Sequence, residues 1–342
     1  MATMTTHRPP ARLPSRLPRW LPRWLRRRRV LGAVLLALIL AIAAAWPVGR
    51  YVGGSDTVRV VAVGDMACDP ADPNRDRATP DEGDHCRGRA VSDLAVALHP
   101  AVLIGLGDFQ YETPTGEAYR RIYGPSFGRL LDRTIPVFGN QEYKIQDAAT
   151  FTDYFGDRVR DPRGYWSQDI GRWHVVVLNS NCGAVAGGCD TDSPQQTWLE
   201  KDLATTDRRC VLAAWHHPRW STGIAGPDER TDALYRTLVA HRVELLLSGH
   251  EADYERFGPL GPDGEPDPDG VRQFVAGTGG QAHYRPSQAG PGVHSAGPAG
   301  EFTDFDHHGV LELELSPDAY RWRFHPLEAD RAVTDQGRAS CR

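Results

Sequence analysis

Five short runs of β-branched and aliphatic residues recur along the chain, and each ends in a polar or glycine-containing turn. Val58–Val63 (VRVVAV) leads into Gly64-Asp65, Ala101–Leu106 (AVLIGL) into Gly107-Asp108, and Ile135–Phe138 into Gly139-Asn140. Val211–Trp215 leads into His216-His217, and Val243–Leu247 into Gly249-His250. Apolar runs this short, bounded by turn residues, predict buried strands. Between them lie helix-spaced stretches. Arg89–Leu98 brings Val91, Leu94, Ala95 and Leu98 together, and Glu229–His241 does the same for Leu234, Leu238 and Val239. Pro194–Leu203 opens after Ser193, a residue type that caps helix N-termini. The alternation predicts β-α units of an α/β sheet whose strands feed polar loops at their carboxyl ends. Val310–Leu315 and Tyr320–Phe324 alternate with period two and predict antiparallel strands closing the sheet. Gly258–Gly270, rich in Pro, Gly and Asp, reads as a surface turn, and Gly280–Gly300 as a long loop that either borders the site or is mobile.

The first fifty residues follow a different pattern. They hold ten Arg and no acidic residue, and nine of those Arg precede the uncharged run Val30–Ala45. Sixteen helical residues span roughly 24 Å, short of a hydrocarbon core near 30 Å. The basic flank predicts a cytoplasmic N-terminus, with everything after residue 50 outside. Ala43-Ala44-Ala45 resembles a signal-peptidase site, whereas the long basic flank and Trp46 suit an uncleaved anchor, so both readings stand. Arg27-Arg28 ahead of Val30-Leu31 also resembles a twin-arginine export signal. The expected organisation is a basic cytoplasmic segment (1–29), a transmembrane anchor or signal h-region (30–46), a linker (47–56) and a catalytic domain (57–342).

Charge and cysteine usage narrow the picture. Beyond residue 50 the chain carries 29 basic against 44 acidic side chains, which argues against a nucleic-acid partner held through phosphates. All six Cys lie in the part expected outside the membrane, where disulfides form. Fifteen pairings are possible and sequence alone does not choose among them. Local closure favours Cys68–Cys86 and Cys182–Cys189, leaving Cys210 with Cys341.

Each strand-end Asp, Asn or His taken singly is an ordinary turn residue. Their order and shared context carry the chemistry, because strand carboxyl ends converge in space. The series GDMAC, GDFQY, GNQEY, WHHP and GHEADYER resembles the calcineurin-like metallophosphoesterases, within them the purple acid phosphatase branch. The resemblance covers roughly residues 57–341. It takes in Leu178-Asn179-Ser180, Gln196-Trp198-Leu199 and a GTGG turn at Gly277–Gly280. It implies an α/β fold built as a β-sandwich flanked by helices, in α/β/β/α layers, preceded here by the transmembrane or signal helix. It also implies two metal ions, iron with zinc, manganese or a second iron. Asp108 would bridge them, Asp65 and Tyr111 would complete site one, and Asn140, His216 and His250 would complete site two. A phenolate favours trivalent iron, and imidazole and amide ligands suit divalent ions. The implied activity is hydrolysis of a phosphoester outside the cytoplasmic membrane by a metal-bound hydroxide.

Two positions depart from the family pattern. Gln141 stands where the family has a catalytic His, and Ala252 where it has a second metal-binding His. Site one then keeps only Asp65, Asp108 and Tyr111, which leaves it weak or empty. Loss of an outer-shell partner alone weakens metal affinity about 10–100-fold, and loss of a general acid costs roughly 10²–10⁴ in rate. Glu142, Glu251 or Asp253 are candidate oxygen donors for site one, and His217 is a candidate proton donor or phosphate contact. Glu142, Asp253, Tyr254 and Glu255 read rather as a salt-bridged loop, and His283, His307 and His308 as exposed loop histidines. Trp166, Trp173, Trp198 and Trp220 are expected in the core or at its rim. The alternative to an active hydrolase is an impaired member of the fold that binds a phosphate-bearing or envelope ligand.

Overall fold

Along β-strands, side chains alternate between faces, so an uninterrupted apolar run requires cover on both sides. The fold supplies that cover. The computed structural model describes residues 56–69, 71, 86–283, 298, 300–328 and 335–342. The expected N-terminal segments up to residue 55 and most of the 280–300 loop lie outside these. No helix among the described residues is long and apolar enough to cross a membrane.

In chain order the elements begin with β1 (Val58–Val63), α1 (Gly88–Ala97), β2 (Val102–Gly105), β3 (Thr134–Pro136) and α2 (Ala149–Phe155). Next come β4 (Trp166–Ile170), β5 (Trp173–Val177), α3 (Pro194–Thr205), β6 (Cys210–Ala214), α4 (Asp232–Ala240) and β7 (Leu245–Ser248). The chain continues through β8 (Tyr254–Leu260), β9 (Val271–Ala276), β10 (Phe302–Asp304), β11 (Gly309–Leu315), β12 (Ala319–Pro326) and β13 (Gln336–Ser340). They form two mixed sheets, ordered β13-β12-β11-β1-β2-β3 and β10-β8-β9-β7-β6-β5-β4. The five apolar runs thus divide between two sheets, as the resemblance to a β-sandwich implies. β1 pairs on one side with β2, in parallel, and on the other with β11, antiparallel. β6 and β7 run parallel beside β5 and β9.

The period of two sorts the second sheet's residues cleanly. Val175, Val177, Leu212, Ala214, Leu245 and Leu247 join the core shared with Val60, Ala62, Leu103 and Leu311 of the first sheet. Val176, Val211, Ala213 and Leu246 face outward into a second core with Leu199 and Leu203 of α3 and Leu234 and Leu238 of α4. On the other flank, Val91 and Ala95 of α1 pack on the first sheet. The Ser193 hydroxyl caps α3 by accepting the Gln196 N–H, and Pro194 occupies its first turn.

Several expectations are corrected. Gly258–Gly270 is not all turn, since residues 258–260 belong to β8. The β8–β9 register shifts between Arg256 and Pro259, where a residue without an N–H is tolerated. The polar interior of β4 (WSQDI) hid a strand that pairs antiparallel with β5. The three disulfides Cys68–Cys86, Cys182–Cys189 and Cys210–Cys341 close as local pairing favours, the last joining the start of β6 to the C-terminus.

One ionisable cluster braces the outer face of the second sheet. His174 on β5 has Nδ1 2.9 Å from Asp169 of β4 and Nε2 2.8 Å from Asp202 of α3. Burial disfavours its charged form, but the hydrogen bonds it donates to Asp202 and Asp169 prevail and raise its pKa. A folded-state pKa above the unfolded one means that this stability is fully present below about pH 6.5 and is lost as pH rises through the folded value. The urea midpoint of His174→Gln should therefore fall further below wild type at about pH 5.5 than at about pH 9. Equal gaps at both pH values would count against a charged His174.

Candidate metal centre

Backbone hydrogen bonds draw the strand ends of the two sheets together. The Gly64 N–H donates to Ala276 O (2.8 Å) and the Gly279 N–H to Gly64 O (2.9 Å), so the GTGG turn ties β1 to β9. The Asp65 N–H donates to Gly107 O at 3.1 Å, and the Gly249 N–H to His216 O at 3.0 Å. At these tips Asp65, Asp108 and His250 take positive φ (57°, 52° and 73°), a conformation uncommon for non-glycine residues and concentrated at functional sites. Gly139 lets the third loop reach Asp108. A Cβ there would lie 2.2 Å from Asp108 Oδ1 and 2.3 Å from its backbone N.

His216 organises the nitrogen side. Its Nδ1 lies 2.7 Å from Leu106 O; a carbonyl can only accept, so Nδ1 carries the hydrogen. Nε2 then lies 3.0 Å from Asn140 Oδ1, 3.3 Å from His250 Nδ1 and 3.4 Å from Asp108 Oδ1. Ligands about 2.0–2.1 Å from a tetrahedral ion stand roughly 3.3 Å apart, so Asn140, His250 and Asp108 each lie near ligand spacing from His216 Nε2.

The oxygen side is gathered by Tyr111. Its hydroxyl lies 2.6 Å from Asp65 Oδ1 and 2.8 Å from Asp108 Oδ2. One hydroxyl proton cannot serve both carboxylates, so three oxygens converge on a place that suits a cation. Asp108 thereby presents one oxygen to each side. Ala252 is buried (3% exposed) and adds no donor, so the oxygen set stops at three.

Electrostatics in the buried cluster are strained. Burial, and then the Asp108 charge, push the Asp65 carboxyl up to about 8 against the lowering effect of His216. Burial also opposes charge on Asp108, yet His216 and the Gln141 N–H (2.8 Å) hold it below the ordinary carboxylate range. His216 itself, disfavoured as a cation by burial, is raised to about 9 by Asp108. Burial and neighbouring His216 lower His250 to about 4. A bound cation would supply the positive charge that these groups now draw from His216.

Among the described residues, the ligand-type groups lying within 4.8 Å of one another are Asp65–Asp108–His216 and His216–His217–His250. Glu142, Glu251 and Asp253 fall outside both groups. Nor do Glu142, Asp253, Tyr254 and Glu255 form the expected salt-bridged loop. Glu142 instead accepts the N–H groups of Asp108 (2.9 Å), Phe109 (2.9 Å) and Gly139 (2.7 Å), pinning two motif loops to each other. Glu255 accepts from Ser221 and Thr222, and Glu251 from Gly226, so both hold the 221–226 loop. Tyr254 donates to Asp335 (2.6 Å), and both Asp253 oxygens are buried without a hydrogen-bond partner. His283 and His308 are buried rather than exposed; His283 meets the Ala252 carbonyl, and its ring lies against that of His308. Trp166, Trp173 and Trp220 are buried in the cores. The anchoring roles of Glu142 and Glu255 escaped sequence reading because a carboxylate that binds backbone amides leaves no spacing signature.

Comparison with known proteins bears on this geometry. The calcineurin-like phosphoesterase family profile matches residues 58–254. Purple acid phosphatase 15 of Arabidopsis thaliana is 30% identical over 188 residues, covering 49% of this chain and 34% of the relative. Tartrate-resistant acid phosphatase type 5 of Sus scrofa is 25% identical over 222 residues, covering 57% and 64%. The chain thus spans about a third of the first relative's length. In fold it is similar to purple acid phosphatase PPD1 of yellow lupin (Lupinus luteus), with TM-score 0.67, 16% identity, and 84% of this chain and 54% of that one covered. It is also similar to GAP50 of Plasmodium, described as the anchor in the inner membrane complex, with TM-score 0.58, 13% identity, and 84% and 89% covered.

Gly139→Ala should abolish metal retention while the far edges of both sheets stay folded, because the added methyl falls on Asp108. Metal per chain, read beside circular dichroism, tests this. Full metal content in the variant would show that the third loop does not need to approach so closely.

Proposed function

This chain belongs to the calcineurin-like phosphoesterase family, and from that premise we propose that it hydrolyses phosphoesters as purple acid phosphatases do. Asp65, Asp108 and Tyr111 would hold one metal ion, and Asp108, Asn140, His216 and His250 the other. The observation that carries this reading is the double reach of Asp108, with Oδ2 2.8 Å from Tyr111 and Oδ1 3.4 Å from His216. When bound, such ions supply positive charge to the phosphoryl oxygens and make water more acidic.

The chain's own residues set the rest. Glu142 and the Gln141 N–H fix Asp108 so that it can be shared between two ions. The Leu106 carbonyl fixes the His216 tautomer, which leaves Nε2 free to hold the ion beside Asn140, His250 and Asp108. Gln141 orients Asp108 through its backbone but has no titrating group with which to protonate a leaving group. Esters whose leaving groups need little protonation are therefore the favoured substrates. Ala252 leaves the oxygen site the weaker of the two.

A second reading, an impaired member that binds a phosphate-bearing or envelope ligand without turning it over, is favoured by Gln141 and Ala252 together. One assay separates the two. The metal-loaded protein should cleave an activated aryl phosphate at least ~10²-fold faster than an alkyl phosphate, and lose turnover with chelator or Asp108→Asn. Metal retention with no turnover on either ester would favour the binding reading; undiminished turnover in Asp108→Asn would overturn the mechanism.

We further propose that the catalytic domain works outside the cytoplasmic membrane, tethered through residues 30–46 or released after cleavage. Three disulfides in the body support an oxidising compartment. Protease added to intact cells should digest the body or find it in the medium, and full protection until lysis would exclude this location.

A further inference from the structure

None of the residues carried over by family resemblance accounts for His217, although it is buried beside two of them. Its ring centroid lies 4.4 Å from that of His250 and 5.0 Å from that of His216. One nitrogen from each of the three imidazoles falls within 4.8 Å of the others. Its Nδ1 is 2.9 Å from Ser180 Oγ, which also accepts the His217 backbone N–H at 2.9 Å. That pair of contacts fixes the ring and leaves Nε2 for another partner. Ligating histidines are commonly oriented in this way, through a hydrogen bond on the ring nitrogen that does not bind metal. His216 is held likewise by Leu106.

We infer that His217 is a third imidazole ligand, so that this chain sorts its donors into a nitrogen-rich site (His216, His217 and His250, beside Asn140 and the shared Asp108) and an oxygen-only site (Asp65, Asp108, Tyr111). The inference rests on the metal-binding reading of the centre and changes its chemistry. The His216–His250 nitrogens already stand 3.3 Å apart, as cis ligands of one ion do. His217 needs to approach by no more than about 1.5 Å to join them, a small side-chain rotation. The imidazole missing at position 252 is then offset on the opposite side of the Asp108 bridge. Three imidazoles favour zinc, cobalt, nickel or copper over manganese and magnesium, whereas carboxylate and phenolate oxygens favour the harder ions. The two sites therefore differ in metal preference by construction.

The test uses the purified full chain loaded with Zn²⁺ alone, then with Mn²⁺ alone. X-ray absorption should count three imidazoles per zinc in the wild type and two in His217→Ser. Zinc affinity, measured by competition with a chromophoric chelator, should fall at least ~10–100-fold in His217→Ser and about 10-fold in Ser180→Ala. Manganese affinity should hold within about 3-fold, and circular dichroism should report an intact fold. Two imidazoles in the wild type, no zinc bound at all, or unchanged zinc affinity in His217→Ser would each overturn the inference. Unchanged zinc binding with slowed ester hydrolysis would make His217 a substrate contact instead. Zinc held by three imidazoles without any hydrolysis would sink the phosphatase reading and leave this one standing.

Discussion

Asp65, Asp108, Tyr111 and Glu142 are buried together at the tips of three parallel strands. Unit charges about 4 Å apart interact by roughly 4 kcal/mol at an effective dielectric near 20. Burial adds a desolvation cost for every charge. The protein answers with fixed partners. Glu142 takes three backbone N–H groups, Asp108 takes the Gln141 N–H and lies against His216, and Asp65 takes the His250 N–H at 2.8 Å. What these partners leave uncompensated is the negative charge that Asp65 and Asp108 would carry together beside the Tyr111 hydroxyl, and its natural complement is a cation. Most other features of the site follow from accommodating that charge.

The sandwich makes such a cluster possible. Two sheets packed face to face bury their apolar inner sides, and the catalytic loops gather where the strand ends of both sheets meet. The positive φ values of Asp65, Asp108 and His250 are tolerated because surrounding backbone bonds over-determine them. Glycines at 107 and 139 let neighbouring loops approach the ligands more closely than any side chain would permit. Glu251 and Glu255 then fix the 221–226 loop near the same end of the sheet.

Family membership and donor geometry agree on metal-assisted phosphoester chemistry, while Gln141 and Ala252 shape how it runs. A site short of one imidazole and of one titrating acid is not a neutral variant of the family pattern. In the proposed hydrolysis it would shift the favoured substrates towards good leaving groups. It would also make the nitrogen side, where His217 stands beside His216 and His250, the stronger metal site.

The sequence by itself determined the strand-and-helix order, the Ser193 cap, and the identities of the donors at five strand ends. These are local properties, set by periodicity and turn chemistry within a few residues. It also exposed the two departures, because a missing His is visible as a letter. The three-dimensional fold alone decided which of the five strands joins which sheet of the sandwich, since an apolar run reads alike whichever neighbour it pairs with. It alone turned Glu142 and Glu255 from expected salt-bridge residues into anchors for backbone amides, and brought His217 against His250 at the ends of the neighbouring strands β6 and β7. Such contacts join residues tens of positions apart, and no local pattern encodes a distance that only packing sets.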